Sequence, residues 1–406
     1  MTTAAKPLMS EKTMEIVKAT VPLLQERGVE ITTYFYQTMF AEHPELLNIF
    51  NHANQKRGRQ PQALANSVYA AAANIENLGA IIPVVKQIAH KHRSLGIKAE
   101  HYPIVGTYLL RAIKEVVGAP QEILDAWGEA YGVIADIFIQ VEAGMYKEAE
   151  EQAGGWKEFR GFTVTKKVRE SDTIASFYLQ PADGGALAAF LPGQYVSVKV
   201  EIPGETYTHI RQYSLSDASG KDYYRISVKR ETAGAETPDG IVSNYLHDHV
   251  KEGDVLPISA PAGDFFLHTE SAAPVVLLAG GVGFTPLMSM LNTLAEQKRQ
   301  VTYVQAALNS KVHAMKEHTA ALAAANENVQ VYTVYAEPTE ADRAAGSFEK
   351  EGFLDLAWLQ SVASQEADFY FCGPVLFMKH VKAMLEEWGV PAERIHFEFF
   401  GPAAAI

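Results

Sequence analysis

From Glu11 to about residue 147 the apolar residues recur at intervals of three and four, and no alternating stretch interrupts them, which predicts helix throughout. Val85, Ile88, Ala89 and His92 stand at i, i+3, i+4 and i+7, so His92 shares the buried stripe of its helix, while His90 falls off that stripe into solvent. Pro83 suits the first turn of the same helix, where its missing amide hydrogen is not needed. Glu142 falls on another apolar stripe, with Ala135, Phe138 and Met145. A carboxylate there is costly unless hydrogen-bonded or paired, so Glu142 is either partnered or turned off the edge of the stripe. On spacing alone His92 reads as an ordinary core histidine.

The texture changes after Ala153-Gly154-Gly155-Trp156, which follows the charged stretch Lys147 to Glu151 and reads as a linker. From Phe159 onward short β-rich runs appear, Phe162–Val168, Ile174–Leu179, Tyr195–Val200 and Tyr224–Lys229, separated by Gly, Pro and Asp turn signals; they predict a small antiparallel barrel. From Pro274 strands alternate with helices: strand Val275–Ala279, helix Leu287–Gln297, strand Val301–Ala306, helix Val312–Asn326, strands Val329–Tyr335 and Phe369–Phe371, and helix Phe377–Trp388. That alternation predicts a parallel α/β domain. The fold class expected is therefore multidomain: an all-α domain over 1–147, a linker over 148–157, an antiparallel β-barrel over 158–268 and an α/β parallel-sheet domain over 269–406.

Length and composition narrow the function. A chain of 406 residues with 20% charged and 48% hydrophobic residues has the make-up of a globular protein of two or three domains. The net charge of -13 disfavours nucleic acid and anionic membrane as partners. No apolar run is long enough to span a bilayer, and Met1 to Ser10 lacks the apolar core of a signal peptide, so a cytoplasmic protein without membrane insertion is expected. Cys372 is the single cysteine, which excludes an internal disulfide and an iron–sulfur cluster held by thiolates of this chain. There is no Cys-x-x-Cys-His, so any haem would be held by a histidine and by packing rather than by thioether links.

Several motifs change the weight given to His92. Phe35-Tyr36-x-x-Met39-Phe40, Pro44-Glu45-Leu46-x-x-Ile49-Phe50, Ile88-Ala89-x-Lys91-His92, Tyr102-Pro103-Ile104-Val105-Gly106 and Ala126-Trp127-x-x-Ala130-Tyr131 occur in that order. Downstream follow Arg211-Gln212-Tyr213-Ser214, then Gly280-Gly281-Val282-Gly283-Phe284-Thr285-Pro286, then Cys372-Gly373-Pro374. The first set resembles a bacterial globin and the second a flavin reductase that takes hydride from a nicotinamide. From about Glu11 to Pro402 the chain as a whole resembles the flavohaemoglobins.

The resemblance implies roles. His92 would be the proximal ligand of the iron of a haem b, oriented by Tyr102 and Glu142, with Lys91 tuning the redox centre. A carboxylate near the ligand gives it imidazolate character and helps to activate oxygen, which a reversible oxygen store does not need. On the distal face Tyr36 would donate a hydrogen bond to the oxygen ligand, Gln60 and Leu64 would complete the pocket, and Phe50 would wedge the haem. Pro61 restricts the residue before it away from helical geometry, so Gln60 either sits in the first turn of its helix or swings out of the pocket.

In the reductase part, arginine can clamp a pyrophosphate, tyrosine can stack on an isoalloxazine and serine can donate to the flavin N5. The resemblance implies an FAD site of Arg211, Gln212, Tyr213 and Ser214 with Tyr195, with Val242 and Ser243 at the head of a helix read as Tyr245–Val250, and with Phe399, Phe400, Gly401 and Pro402. Phe400 would cover the ring, and Glu398 would tune its potential. Gly280, Gly281, Val282 and Gly283 would let the backbone approach a dinucleotide pyrophosphate, with Phe284 and Pro286 beside them and Thr285 capping the next helix. Cys372, Gly373 and Pro374 would lie near the nicotinamide. By itself Cys372 is equally a small buried residue. No arginine follows Val301–Ala306, where a ribose 2′-phosphate would be read, which favours NADH, with NADPH the alternative.

The activity implied is nitric oxide dioxygenation by a cytoplasmic monomer, with oxygen and nitric oxide as substrates and a distal cavity that can admit lipid tails. Two other readings stand beside it. An oxygen-storing or sensing module leaves the attached reductase unexplained. A flavin-linked ferric or haem reductase with a vestigial globin would lack a haem Soret band.

Overall fold

The structure is a computed structural model, and it describes residues 9–50, 55, 58–234 and 238–401. Its contacts group into two compact units. One comprises the chain to Glu151 together with Glu201–Ile210, the other Gln152–Val200 and the chain from Arg211 onward.

The first unit is helical. Its described helices are Glu11–Ala19, Val21–Glu42, Arg59–Ala73, Ile82–Leu95, His101–Val117 and Gln121–Glu151, with single 3₁₀ turns at Pro44–Asn48 and Leu78–Ile81. The last helix runs past residue 147 to Glu151, into the stretch read as linker. Two close approaches set the packing. Gly28 in Val21–Glu42 faces Ala65, 3.4 Å from where a Cβ would stand, and beside it Thr32 Oγ1 donates to the carbonyl of Pro61 at 2.8 Å. Gly106 in His101–Val117 leaves room for the Tyr131 ring, which a Cβ would meet at 2.5 Å; the Tyr131 hydroxyl donates to the carbonyl of Tyr102 at 2.6 Å. The Ile82–Leu95 helix ends on Gly96 at φ 80°, and the Ile97 amide donates back to the carbonyl of His92 at 3.0 Å.

The second unit contains two sheets. In the antiparallel sheet the strands are β1 (Phe159–Arg169), β2 (Ile174–Pro181), β3 (Tyr195–Val200), β4 (His209–Ser214), β5 (Tyr224–Lys229) and β6 (Val255–Ser259), in the order β4-β3-β6-β1-β2-β5. A bridge from Leu215 to Ile226 brings the end of β4 to β5 and rolls the sheet toward closure. Leading into it are the inward residues Phe162, Val164, Phe177, Val196 and Ile226, all fully buried. β6 was not evident in the sequence; its pattern of exposed and buried residues covers only five positions around Pro257.

The parallel sheet has β7 (Val275–Gly280), β8 (Val301–Ala307), β9 (Val329–Tyr335), β10 (Lys350–Glu351), β11 (Asp368–Cys372) and β12 (Ile395–Glu398), in the order β10-β9-β8-β7-β11-β12. All six residues of β7 are buried, because helices cover both faces. Val275, Leu277 and Ala279 pack with the helix Phe284–Gln297 in one core, and Val276 and Leu278 pack with Val375–Trp388 in another. The run read as one helix over Val312–Asn326 is broken: a 3₁₀ turn Ser310–Val312 precedes the helix Lys316–Ala325, with Met315 at φ 63° between them. Chain order reverses between β7 and β11. In an open parallel sheet the carboxyl ends at such a reversal form the crevice where ligands bind.

Candidate functional site

Within the helical unit the anticipated proximal residues converge. Ile82–Leu95 carries His92, the head of His101–Val117 carries Tyr102, and Gln121–Glu151 carries Glu142. Glu142 is 3% exposed, so it faces inward rather than off the edge of its stripe. Its Oε1 accepts from His92 Nδ1 at 2.7 Å and from the Tyr102 hydroxyl at 2.6 Å. Burial, then the nearby Glu142 charge, pushes the Tyr102 pKa up, so the phenol keeps its proton. With Nδ1 committed to a carboxylate, the lone pair of the neutral imidazole is on Nε2, the tautomer that an axial iron ligand requires. The His92 side chain stays 32% accessible although Ala89, one turn back, is fully buried. Phe138 lies beside both rings, at 5.9 Å from His92 and 6.3 Å from Tyr102. His90, expected in solvent, is half-buried; Ser94, one turn further along the same side of the helix, is fully buried, so that side is covered as well. Lys91 is also half-buried, and its carbonyl accepts from Ser94 Oγ at 2.9 Å.

The distal set assembles in the core that holds Val21–Glu42. Tyr36 lies among aromatic rings, with centroids 4.7 Å from Phe35, 5.6 Å from Phe40 and 5.8 Å from Phe50, and Leu64 packs against the same cluster. Gln60 is the second residue of Arg59–Ala73 and hydrogen-bonds the Tyr36 side chain. Of the two expectations for Gln60, the first-turn position is the one found. Pro61 is tolerated because it is the third helical residue, where an amide hydrogen would have no partner within the helix. Burial raises the Tyr36 pKa, so this hydroxyl too is a donor rather than a phenolate. Ile49 and Tyr131 pack against both the distal and the proximal clusters.

In the second unit, Arg211, Gln212, Tyr213 and Ser214 all lie on β4. Arg211 and Tyr213 share one strand face and feel each other electrostatically; burial lowers the Arg211 pKa and raises that of Tyr213. A guanidinium in such surroundings suits a phosphate anion. Gln212 points the other way and donates to Ser197 Oγ on β3 at 3.4 Å, and Ser214 on that side is 8% exposed. Tyr195 pairs with Ala262 through both backbone bonds, and its ring lies 3.0 Å from where a Cβ on Gly263 would stand.

The helix after Gly240 spans Ile241–Asp248, four residues ahead of the expected start. Val242 and Ser243 are buried in its first turn; Ser243 Oγ accepts from the Glu231 amide at 3.1 Å and donates to the Gly240 carbonyl at 3.1 Å. Phe399 is half-buried, Phe400 is 41% exposed, and the Gly401 amide donates to the Phe399 carbonyl. Pro402 lies outside the described residues.

The glycine turn sits at the β7–β11 reversal, but most of its glycines answer to packing inside the chain. A Cβ on Gly283 would collide with the carbonyl of Cys372. A Cβ on Gly280 or Gly373 would enter the Phe377 ring, at 2.8 and 2.6 Å. Gly281 differs: it has φ +52°, and a Cβ there would meet nothing within 4 Å, so its backbone is the part left open to a ligand. Thr285 does not cap the helix Phe284–Gln297. It is the second helical residue, and its hydroxyl donates back to the Val282 carbonyl at 3.1 Å; Phe284, Thr285 and Pro286 are all buried. Cys372 is fully buried beside Gly373 and Pro374 and pairs across the ladder with Glu398. Burial, with the Glu398 charge, holds its pKa well above the ordinary thiol value, so Cys372 is a neutral thiol.

Family models match three consecutive regions: Globin over residues 33–138, Oxidoreductase FAD-binding domain over 161–267 and Oxidoreductase NAD-binding domain over 277–383. A flavohemoprotein of Bacillus thuringiensis subsp. konkukian is 68% identical over 402 residues, covering 98% of this chain and all of the relative. A Bacillus subtilis flavohemoprotein is 54% identical, with 98% of this chain and 99% of the relative covered. Among solved structures, a flavohemoglobin from Malassezia yamatoensis with bound FAD and heme superposes with a TM-score of 0.83 at 27% identity, covering 97% of this chain and 99% of its own. The flavohem-like FAD/NAD-binding domain of nitric oxide dioxygenase from Vibrio cholerae matches at 44% identity and a TM-score of 0.55, over 60% of this chain and 99% of its own. With that likeness running end to end, and with a globin followed by two oxidoreductase modules, the chain belongs to the flavohemoprotein family of oxidoreductases.

Proposed function

We propose that this oxidoreductase is an NADH-dependent nitric oxide dioxygenase with haem b and FAD as cofactors. The overall reaction balances as two nitric oxide, two oxygen and one NADH giving two nitrate, NAD⁺ and one proton. The domains would be the globin over 1–147, the FAD barrel over 158–268 and the nicotinamide domain over 269–406. His92 would hold the haem iron through Nε2. Arg211, Tyr213 and Ser214, with Tyr195, Gln212, Val242, Ser243 and Phe399 to Pro402, would hold FAD. The turn Gly280 to Gly283 and the segment Cys372 to Pro374 would receive the nicotinamide dinucleotide. When bound, FAD would supply the change from two-electron hydride acceptance, with release of the proton, to one-electron transfer, and haem would supply the oxygen-binding site.

The observation that carries the reading is the buried Glu142, whose Oε1 takes both His92 Nδ1–H at 2.7 Å and the Tyr102 hydroxyl at 2.6 Å. A carboxylate at this position makes the ligand more basic and favours oxygen activation over reversible storage. Tyr36 donates from the distal side, Arg211 offsets phosphate charge, and the protonated Cys372 adds no negative charge near the nicotinamide.

The decisive experiment supplies the purified holoenzyme with NADH, oxygen and nitric oxide, and measures nitrate. Two nitrate formed per NADH oxidised is expected. Stable, reversible oxygenation without NADH consumption would instead make the protein an oxygen carrier, and flavin turnover without a Soret band would make it a plain reductase.

A further inference from the structure

Three residues beyond the flavin clamp, Asp217 collects an unusual set of donors. Its residue is 8% exposed. Oδ1 accepts from the Ala218 amide at 2.8 Å and from Asn292 Nδ2 at 2.7 Å. Oδ2 accepts from the Tyr223 hydroxyl at 2.8 Å and faces Arg225 NH1 at 3.3 Å. Its backbone carbonyl accepts from Ser289 Oγ at 2.7 Å. Arg225, 4% exposed, also donates to the carbonyl of the neighbouring Ser216. Asn292 in turn meets His318 Nε2 through Oδ1 at 2.8 Å.

Both ends of this knot matter. On one side Asp217 lies at a bend three residues past the end of β4, the strand that carries Arg211, Tyr213 and Ser214. On the other, Ser289 and Asn292 stand at i and i+3 on the helix Phe284–Gln297, which begins at the glycine turn. Ser214 is three residues from Asp217, at most about 10 Å along the chain. Asn292 is about 12 Å of helix from Phe284. The knot is therefore the rigid corner between the flavin clamp and the dinucleotide turn. A buried ion pair contributes little to stability compared with well-packed apolar residues, so its value here is geometric.

We propose that Asp217, held by Ser289, Asn292, Tyr223 and Arg225, is a positioning residue that fixes the dinucleotide helix in register with the flavin-clamp strand and so sets the hydride-transfer distance. This rests on the proposed function, in which NADH reduces FAD. Geometry governs such a step steeply, because a misplacement near 1 Å can cost about a hundredfold in rate.

The test compares Asp217→Asn and, should that variant fail to fold, the near-isosteric Asn292→Leu. In anaerobic stopped-flow with the FAD-loaded full chain, the limiting rate of flavin reduction by NADH should fall about tenfold or more, with NADH affinity changed less than about threefold. The isotope effect from NADH deuterated at the transferred position should rise. Without flavin or nicotinamide, amide exchange in the helix Phe284–Gln297 should quicken about tenfold, since the corner is part of the protein itself. Folded variants with the parent's reduction rate, isotope effect and helix exchange would overturn the assignment. If the unaltered, FAD-loaded protein is not reduced by NADH at all, the proposed function falls first and the hydride role of Asp217 with it.

Discussion

The proximal site of the helical unit and the glycine turn of the parallel-sheet domain are built in opposite ways. Around His92, side chains do the arranging: one carboxylate oxygen holds a histidine and a tyrosine brought in by different helices. Around Gly280 to Gly283 the arrangement depends on side chains being absent, so that Cys372, Gly373 and Phe377 can close on the end of β7. The first kind of site tolerates exchange of one functional group for another and answers in its chemistry. The second has no room for a methyl group at Gly280 or Gly283 and answers in its fold.

The sharpest way to break this contrast is Gly283→Ala. The added Cβ meets backbone, the carbonyl of Cys372, which cannot rotate away. Destabilisation of the second unit by about 3 kcal/mol or more is expected, seen as an early unfolding step with loss of flavin, while the helical unit melts unchanged. An unaltered melting curve would show that β7 and β11 can part at no cost.

His92→Ala is next. The Soret band should be lost while the far-ultraviolet dichroism of the helices persists and NADH still reduces the flavin. Glu142 loses one of its two donors, at a cost of roughly 1–3 kcal/mol. Retention of haem with an unchanged ligand spectrum would move the axial role to another residue.

Glu142→Gln preserves shape and removes charge. Nitric oxide turnover should drop about tenfold, with haem content held and the iron–histidine stretching frequency lowered, because an amide polarises His92 less than a carboxylate does. A variant equal to the parent in both measurements would reduce Glu142 to a packing residue.

The smallest effect is expected from Tyr36→Phe. The lost hydrogen bond contributes roughly 1 kcal/mol, or more to a ligand with partial charge, so oxygen dissociation should quicken about tenfold. A rate that does not move would assign the distal donor to Gln60, which already touches Tyr36.

The same contrast explains what the sequence could disclose. The stripe of Val85, Ala89 and His92 is a local, periodic signal, and a carboxylate on an apolar stripe demands a partner, so each residue was legible as inward-facing, but that Glu142 meets His92 was implied only by the resemblance to the flavohaemoglobins. Gln60 was not legible, because whether a pre-proline residue is helical depends on where the helix begins. The glycines were legible as glycines but not in their reason: nothing local says that the Cβ of residue 283 would strike a carbonyl at residue 372. Thr285 was misassigned as a cap for a similar cause, since the 3₁₀ turn Gly281–Gly283 starts the helix ahead of it and takes its hydroxyl to Val282. Asp217 gave no signal, because its donors are scattered from Ala218 to Asn292. β12, at Ile395–Glu398, is too short to alternate visibly.

The position of β7 between β8 and β11 also bears on how the molecule is made. β8 follows β7 closely, yet the other neighbour pairs Val275 with Asp368, nearly a hundred residues later in synthesis. Helical contacts between near neighbours close early, whereas such distant pairing is slow to nucleate. A nascent chain therefore presents a largely assembled helical unit while β7, all apolar, still has one bare edge. Until Cys372 and Gly373 arrive there is nothing for Gly283 to close against, so the turn after β7 takes its final shape only once β11 is in place. In that interval the unpaired edge of β7 is a segment in need of protection from aggregation.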